Sequence, residues 1–172
     1  MPISFDVESV FRVLPPSSET VGHGLTIETV TPYLKDYDAF AEERPTAWPF
    51  RFDVSNWGFF AAFENGRRIG GAVVAWNTPG VEMLEGRHDL ACLWDIRVQP
   101  DRLGAGAGTM LFEHAAGWSR GKGCKQLKIE TQNVNVPACR FYEKRGCTLR
   151  EVNPNAYPPE LNEIQLLWYL EL

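Results

Sequence analysis

Val98-Gln99-Pro100-Asp101-Arg102-Leu103-Gly104-Ala105-Gly106-Ala107-Gly108-Thr109 reads as the end of a strand, a proline that stops it, and three alternating glycines that open a helix. Glycines let successive backbone N–H groups point into one concavity, and a helix N-terminus adds partial positive charge. Such a segment is suited to phosphate. Glycine inside a first helical turn costs about 0.5–1 kcal/mol relative to alanine, so three of them favour a functional reason. A Walker A loop is excluded, because no Lys-Ser or Lys-Thr pair follows the glycines. A Rossmann turn wants GxGxxG directly after its strand, whereas the spacing here is GxGxG and Pro100 lengthens the connection.

Upstream, Leu90–Val98 (LACLWDIRV) is a long apolar strand with one acid, Asp95. Before it, Asn65-Gly66 separates two apolar runs, 57–63 and 68–76, and predicts a tight hairpin. Leu25–Val30 alternates with period two and predicts a first strand. Thr31-Pro32 resembles a helix start, and Tyr33, Leu34, Tyr37, Phe40 and Ala41 fall on one helical face, predicting a helix over 33–44. Residues 1–24 show no firm period and predict an irregular N-terminal arm, with one folded domain over 25–172. Downstream of the glycines, Met110, Leu111, His114, Ala115 and Trp118 recur at helical spacing until Gly121 and Gly123. A strand over 126–131, a helix capped by Asn135 and ended by Gly146, and strands over 147–152 and 163–171 complete the chain. The order predicts a mixed α/β domain with a central, mostly antiparallel sheet of about seven strands flanked by helices.

The chain has 172 residues, the size of one domain, with 44% hydrophobic and 23% charged residues. That balance excludes wholesale disorder, collagen and coiled coil. No run of apolar residues is long enough for a membrane span, and the first residues lack the basic and apolar regions of a secretory signal. Seventeen basic against twenty-two acidic residues leave a net charge of −5, which argues against general nucleic-acid binding. The same charge suits a cationic small molecule and equally suits solubility alone. Cys92, Cys124, Cys139 and Cys147 form no CxxC pair, and His23, His88 and His114 form no metal-binding pair. No metal is expected, and the cysteines read as packing residues in a reducing cytoplasm.

The second informative segment is Asn135-Val136-Pro137-Ala138-Cys139-Arg140-Phe141-Tyr142-Glu143-Lys144-Arg145-Gly146-Cys147. It resembles the NxxAxxxYxKxGF pattern of the GNAT (Gcn5-related N-acetyltransferase) superfamily, and the glycine loop resembles that superfamily's acetyl-CoA pyrophosphate loop. The two occur in the family's order, separated by one helix and one strand. LWDIRV, KIETQNVNVPACRFYEK and NEIQLLWYL are similar to the streptothricin acetyltransferase branch. The resemblance is specific over about 90–172, weak over 57–76 and absent over 1–24. It departs at Leu103, where the loop usually begins with Arg or Gln, and at Cys147, where the pattern has Phe. Arg102 stands beside the first departure and is placed to supply the missing charge.

The resemblance implies an N-acetyltransferase that moves acetyl from acetyl-CoA, as co-substrate, to a primary amine of a small cationic acceptor, including a streptothricin-type antibiotic. Its implied cofactor contacts fall on Ile96, Arg97 and Val98 in the strand and on Leu103, Gly104, Ala105, Gly106, Ala107, Gly108 and Thr109 in the loop. Asn135, Ala138 and Tyr142 complete them. The amine attacks the thioester directly, so the protein must handle two protons. Tyr142, protonated at neutral pH, is the implied general acid; by spacing alone it reads as a core aromatic. Asp95 and Glu130 are two candidates for binding the ammonium or relaying its proton. A carboxylate among apolar strand residues must be paired or face a cavity. Trp76, Trp94, Asp95, Tyr157 and Glu163 are candidates to frame a cationic acceptor by cation–π and ionic contacts. Rival readings are a protein N-terminal or lysine acetyltransferase, or a CoA-binding sensor with little catalysis. No nucleic acid or membrane partner is expected, and a homodimer is compatible with the sequence.

Overall fold

The computed structural model describes residues 4–14, 24–41 and 44–172. Its elements are β1 (Ser4–Leu14), β2 (Gly24–Asp36), α1 (Trp48–Arg51), β3 (Gly58–Glu64), β4 (Arg67–Trp76), β5 (Leu90–Val98), α2 (Ala107–Gly121), β6 (Gln126–Gln132), α3 (Val136–Lys144), β7 (Thr148–Asn153) and β8 (Gln165–Glu171). The class is mixed α/β with a mostly antiparallel 6-stranded sheet built from β3 to β8. No helix among the described residues is long and apolar enough to cross a membrane. Among those residues the chain divides into two compact units: Tyr37–Lys128 with Glu171–Leu172, and Ser4–Asp36 with Ile129–Leu170.

In the first unit the hairpin forms where the sequence places it. Asn65 and Gly66 both take positive φ, 49° and 77°, and Glu64 pairs with Arg67. This is the turn whose twist matches two paired strands, and it tolerates Asn and Gly where other residues would strain. β4 then pairs antiparallel with β5. Trp48, Trp57, Ala75, Val81, Leu84 and Cys92 bury one face of these strands beneath α1 and the loops around it. α2 covers the sheet with Leu111, Phe112, Ala115 and Ala116 buried. Burying a Leu or Phe side chain is worth about 1.5–3 kcal/mol, so this stripe is what holds a helix that begins with glycines.

The second unit differs from its sequence reading. Ser4–Leu14, expected to be irregular, is a strand, and residues 15–23 of the expected arm lie outside the described residues. The helix expected over 33–44 is absent in its described part. β2 instead continues to Asp36, with Tyr33 opposite Val7 and Leu34 opposite Asp6. The hairpin β1–β2 forms its own 2-stranded sheet, so the predicted seventh strand is not in the main one. Pro32 fits because the register shifts between Val7 and Ser9, where residues 30–32 bulge opposite Glu8 and no ladder donor is needed from the proline. Helical spacing and long-range pairing compete for this segment, and pairing wins.

The rest of that unit follows its local signals. Asn135 caps α3, its side chain accepting from the N–H of Ala138 at 3.1 Å, a contact worth about 1 kcal/mol. Ile129, Leu166, Trp168, Cys139 and Tyr142 are buried. Within them Trp168 Nε1 donates to Thr131 Oγ1 at 2.9 Å.

Candidate active site

Beginning with the first unit, β5 carries an irregularity that the sequence does not announce. Val73 pairs with Asp95 and Val74 with Leu93, so Trp94 is an extra residue in β5. A bulge of this kind leaves one residue outside the ladder and re-aims its neighbours. Trp94 turns into an aromatic group, with ring centroids 5.2 Å from Trp57, 5.4 Å from Phe52 and 6.4 Å from Trp48.

Beyond the bulge, Asp95 and Arg97 share a face. The Arg97 Nε donates to both Asp95 oxygens, at 3.0 and 2.7 Å, and its Nη1 donates to both Asp38 oxygens at 2.9 Å. All three side chains are mostly buried, at 10–18% exposure. Burial raises the Asp95 carboxyl above its usual range, partly offset by the guanidinium. Burial works against the charge of Arg97 as well, but the two carboxylates outweigh it and hold Arg97 more firmly protonated. One guanidinium thus faces two carboxyl groups. Asp38 was not legible as a site residue, because its surroundings read as helix.

Gly104 and Gly106 follow, at φ 77° and 91°, and a Cβ at either would meet nothing within 4 Å. No side chain caps the first turn of α2, formed by Ala107, Gly108 and Thr109. Leu103 is 69% exposed, and Ala105 donates back to Arg102 O at 3.4 Å. An open glycine concavity running into an uncapped helix start fits a pyrophosphate. Arg102, beside Leu103, pairs through its Nε with Glu64 at 2.8 Å in a partly exposed ion pair. Ile96 and Val98 lie in the ladder opposite Ala72 and Gly70. Trp76 is also engaged: Lys122 Nζ stands 5.1 Å from its ring centroid, and its Nε1 donates to His88 O at 2.9 Å. The expected role of its ring toward an acceptor cation stands beside this internal contact.

In the second unit, Asn135 and Ala138 are joined in the α3 cap, so the Asn135 side-chain oxygen already has a donor. Tyr142 is 4% exposed, one helical turn beyond Ala138. Glu163, expected on the acceptor side, is buried against Lys35, whose Nζ donates to its two oxygens at 2.6 and 2.8 Å. This pair ties β2 to the loop before β8. Nearby, burial and the Glu163 charge push the Tyr33 hydroxyl upward.

Glu130 and Tyr157, predicted separately, are brought together. Tyr157 Oη donates to Glu130 Oε1 at 2.6 Å, and Gln165 Nε2 donates to Glu130 Oε2 at 2.9 Å. The bonded partners of this carboxylate among the described residues are neutral. Gln165 and Gln132 escaped the sequence reading, since a glutamine on a strand carries no signature of its own.

An open glycine turn at an uncapped helix start, following a bulged strand in a mixed α/β domain, fits a protein that binds a pyrophosphate-bearing ligand. The family model for the acetyltransferase (GNAT) family matches residues 27–147, and the chain belongs to that family. It is 29% identical to the streptothricin acetyltransferase of Escherichia coli, over 86% of this chain and 76% of that one. It is 30% identical to streptothricin acetyltransferase A of Bacillus subtilis (strain 168), over 80% and 73%. A crystal structure provisionally assigned as a streptothricin acetyltransferase from Bacillus anthracis str. Ames, in complex with acetyl coenzyme A, superposes with a TM-score of 0.77 at 26% identity, covering 98% of this chain and 89% of that one. Nourseothricin acetyltransferase superposes with a TM-score of 0.72 at 25% identity, covering 98% and 86%. This protein is an acetyl-CoA-dependent N-acetyltransferase similar to streptothricin acetyltransferases.

Proposed function

We propose that the acceptor is a primary amine on a small, multiply cationic compound of the streptothricin kind. The observation that carries this reading is Glu130, whose two oxygens are held by the neutral donors Tyr157 and Gln165, with no cationic side chain bonded to it among the described residues. The names of the related enzymes agree with it.

A lysine-like ammonium has a pKa near 10.4, so only about one part in a thousand is neutral at pH 7.4. The enzyme must therefore bind the cation and then take its proton. Glu130 is the proposed acceptor for that proton through water, with Asp95 as the second carboxylate. The neutral amine then attacks the thioester carbonyl; the new C–N bond forms as the C–S bond breaks. Tyr142 supplies the proton that the departing thiolate needs. The glycine turn of Gly104 and Gly106 and the first N–H groups of α2 hold the pyrophosphate of acetyl-CoA.

The test follows CoA-thiol release with a panel of amines: streptothricin, free lysine and peptides bearing an N-terminal or lysine amine. Turnover of streptothricin above the peptides is expected. Turnover of peptides without streptothricin would replace this acceptor by a protein amine.

A further inference from the structure

Four polar side chains surround Glu130, and each orientation is dictated by the next. An ionised carboxylate only accepts hydrogen bonds. Gln165 must therefore turn its Nε2 toward Glu130, which leaves its Oε1 facing Asn153, and Asn153 Nδ2 donates there at 2.8 Å. Tyr157 must likewise donate to Glu130, which leaves its oxygen to accept, and Gln132 Nε2 donates there at 2.9 Å. Asn153 and Gln165 are cross-strand partners on β7 and β8, and Gln132 lies two residues from Glu130 on β6. The four groups are half-buried.

We infer that Tyr157 and Gln165 are positioning residues that aim the Glu130 carboxylate, and that Gln132 and Asn153 set the direction in which those two donate. The inference rests on Glu130 acting on the acceptor amine. Each arm ends in an amide that a carboxylate of nearly the same shape can reverse. Asn153→Asp turns a donor into an acceptor, so Gln165 swings its Nε2 to the new carboxylate and faces Glu130 with its oxygen. Asn153→Ala removes the constraint but leaves Gln165 able to donate to Glu130. A role in packing orders the two variants oppositely, because alanine leaves the larger gap.

The experiment measures kcat and KM for streptothricin and for acetyl-CoA, with thermal melts, in Glu130→Gln, Tyr157→Phe, Asn153→Asp and Asn153→Ala. A hydrogen bond to a charged group corresponds to about tenfold to a hundredfold in rate. Tyr157→Phe is expected to lower kcat/KM for streptothricin by about that factor, with the acetyl-CoA KM unchanged. Asn153→Asp is expected to lose more than Asn153→Ala, although an added carboxylate by itself attracts the cation. If Asn153→Asp does not fold, Gln132→Glu against Gln132→Leu makes the same comparison on the other arm. Glu130→Gln with wild-type kinetics removes the reading of Glu130 and the inference with it. An impaired Glu130→Gln beside a wild-type Tyr157→Phe, or a larger loss in Asn153→Ala than in Asn153→Asp, overturns the positioning roles and leaves Glu130 in place.

Discussion

Arg97 and Asp38, 59 positions apart, meet through two hydrogen bonds of 2.9 Å. The same guanidinium holds Asp95 through its Nε, at 2.7 Å to the nearer oxygen. One arginine thus binds two buried carboxyl groups and anchors the turn that holds Asp38 to the bulged strand. Breaking a buried pair by removing one partner typically costs 3–5 kcal/mol, because the remaining charge is left uncompensated.

Arg97→Leu should therefore be less stable than the parent at pH 7, by about 3–5 kcal/mol. The sign of its pH dependence follows from Asp95, whose folded-state pKa already lies above 3.8. Stability linked to that group is fully present below its unfolded value and is lost as pH rises through the folded one. Removing the guanidinium takes away what holds that value down, so the deficit should shrink on acidification. Thermal melts at pH 7 and pH 5 check this, and a deficit that grows toward pH 5 contradicts it.

Gly106 is at φ 91° with open space around it. A side chain there meets no neighbour, so Gly106→Val acts through backbone strain of about 1–3 kcal/mol and by intruding on the space offered to phosphate. Acetyl-CoA affinity should fall sharply while the circular dichroism spectrum is kept. Unchanged affinity by calorimetry would remove the pyrophosphate assignment.

Tyr142→Phe keeps the ring that packs in α3 and deletes its proton. General acid catalysis supplies about 10²–10⁴-fold, so kcat should drop by a factor in that range. The acetyl-CoA KM should change little by comparison. Wild-type kcat in steady-state assays would return Tyr142 to a packing role.

Burial pushes the Cys139 thiol up to about 11 and the Cys147 thiol up to about 12. Both should resist alkylation in the native state at pH 8 and react only on unfolding. Because the folded-state values are raised, the associated stability is complete below an ordinary thiol's pKa of about 8.5 and is lost as pH climbs toward the folded values. Melting temperatures should fall above about pH 9. Mass spectrometry of iodoacetamide-treated native protein showing both thiols modified would contradict the burial.

Local signals carried much of this chain. The Asn65-Gly66 turn, the strand Leu90–Val98, the glycine-opened helix and the Asn135 cap all rest on interactions within a few residues, and each folds where its residues say. The glycine loop and the NxxAxxxYxK segment also point to acetyl-CoA chemistry through their resemblance to the family. Tertiary structure decided what depends on distant partners. The segment Tyr33–Asp36 has helical spacing but finds an extended partner in β1. The extra residue at Trp94 is a matter of register against β4, which no period in β5 reveals. Glu163 meets Lys35 across 128 positions, and that pairing separates it from Glu130, a carboxylate of the same residue type on a strand of the same unit. A side chain's charge is written in the sequence, but whether that charge is cancelled depends on which donor the folded chain brings within 3 Å.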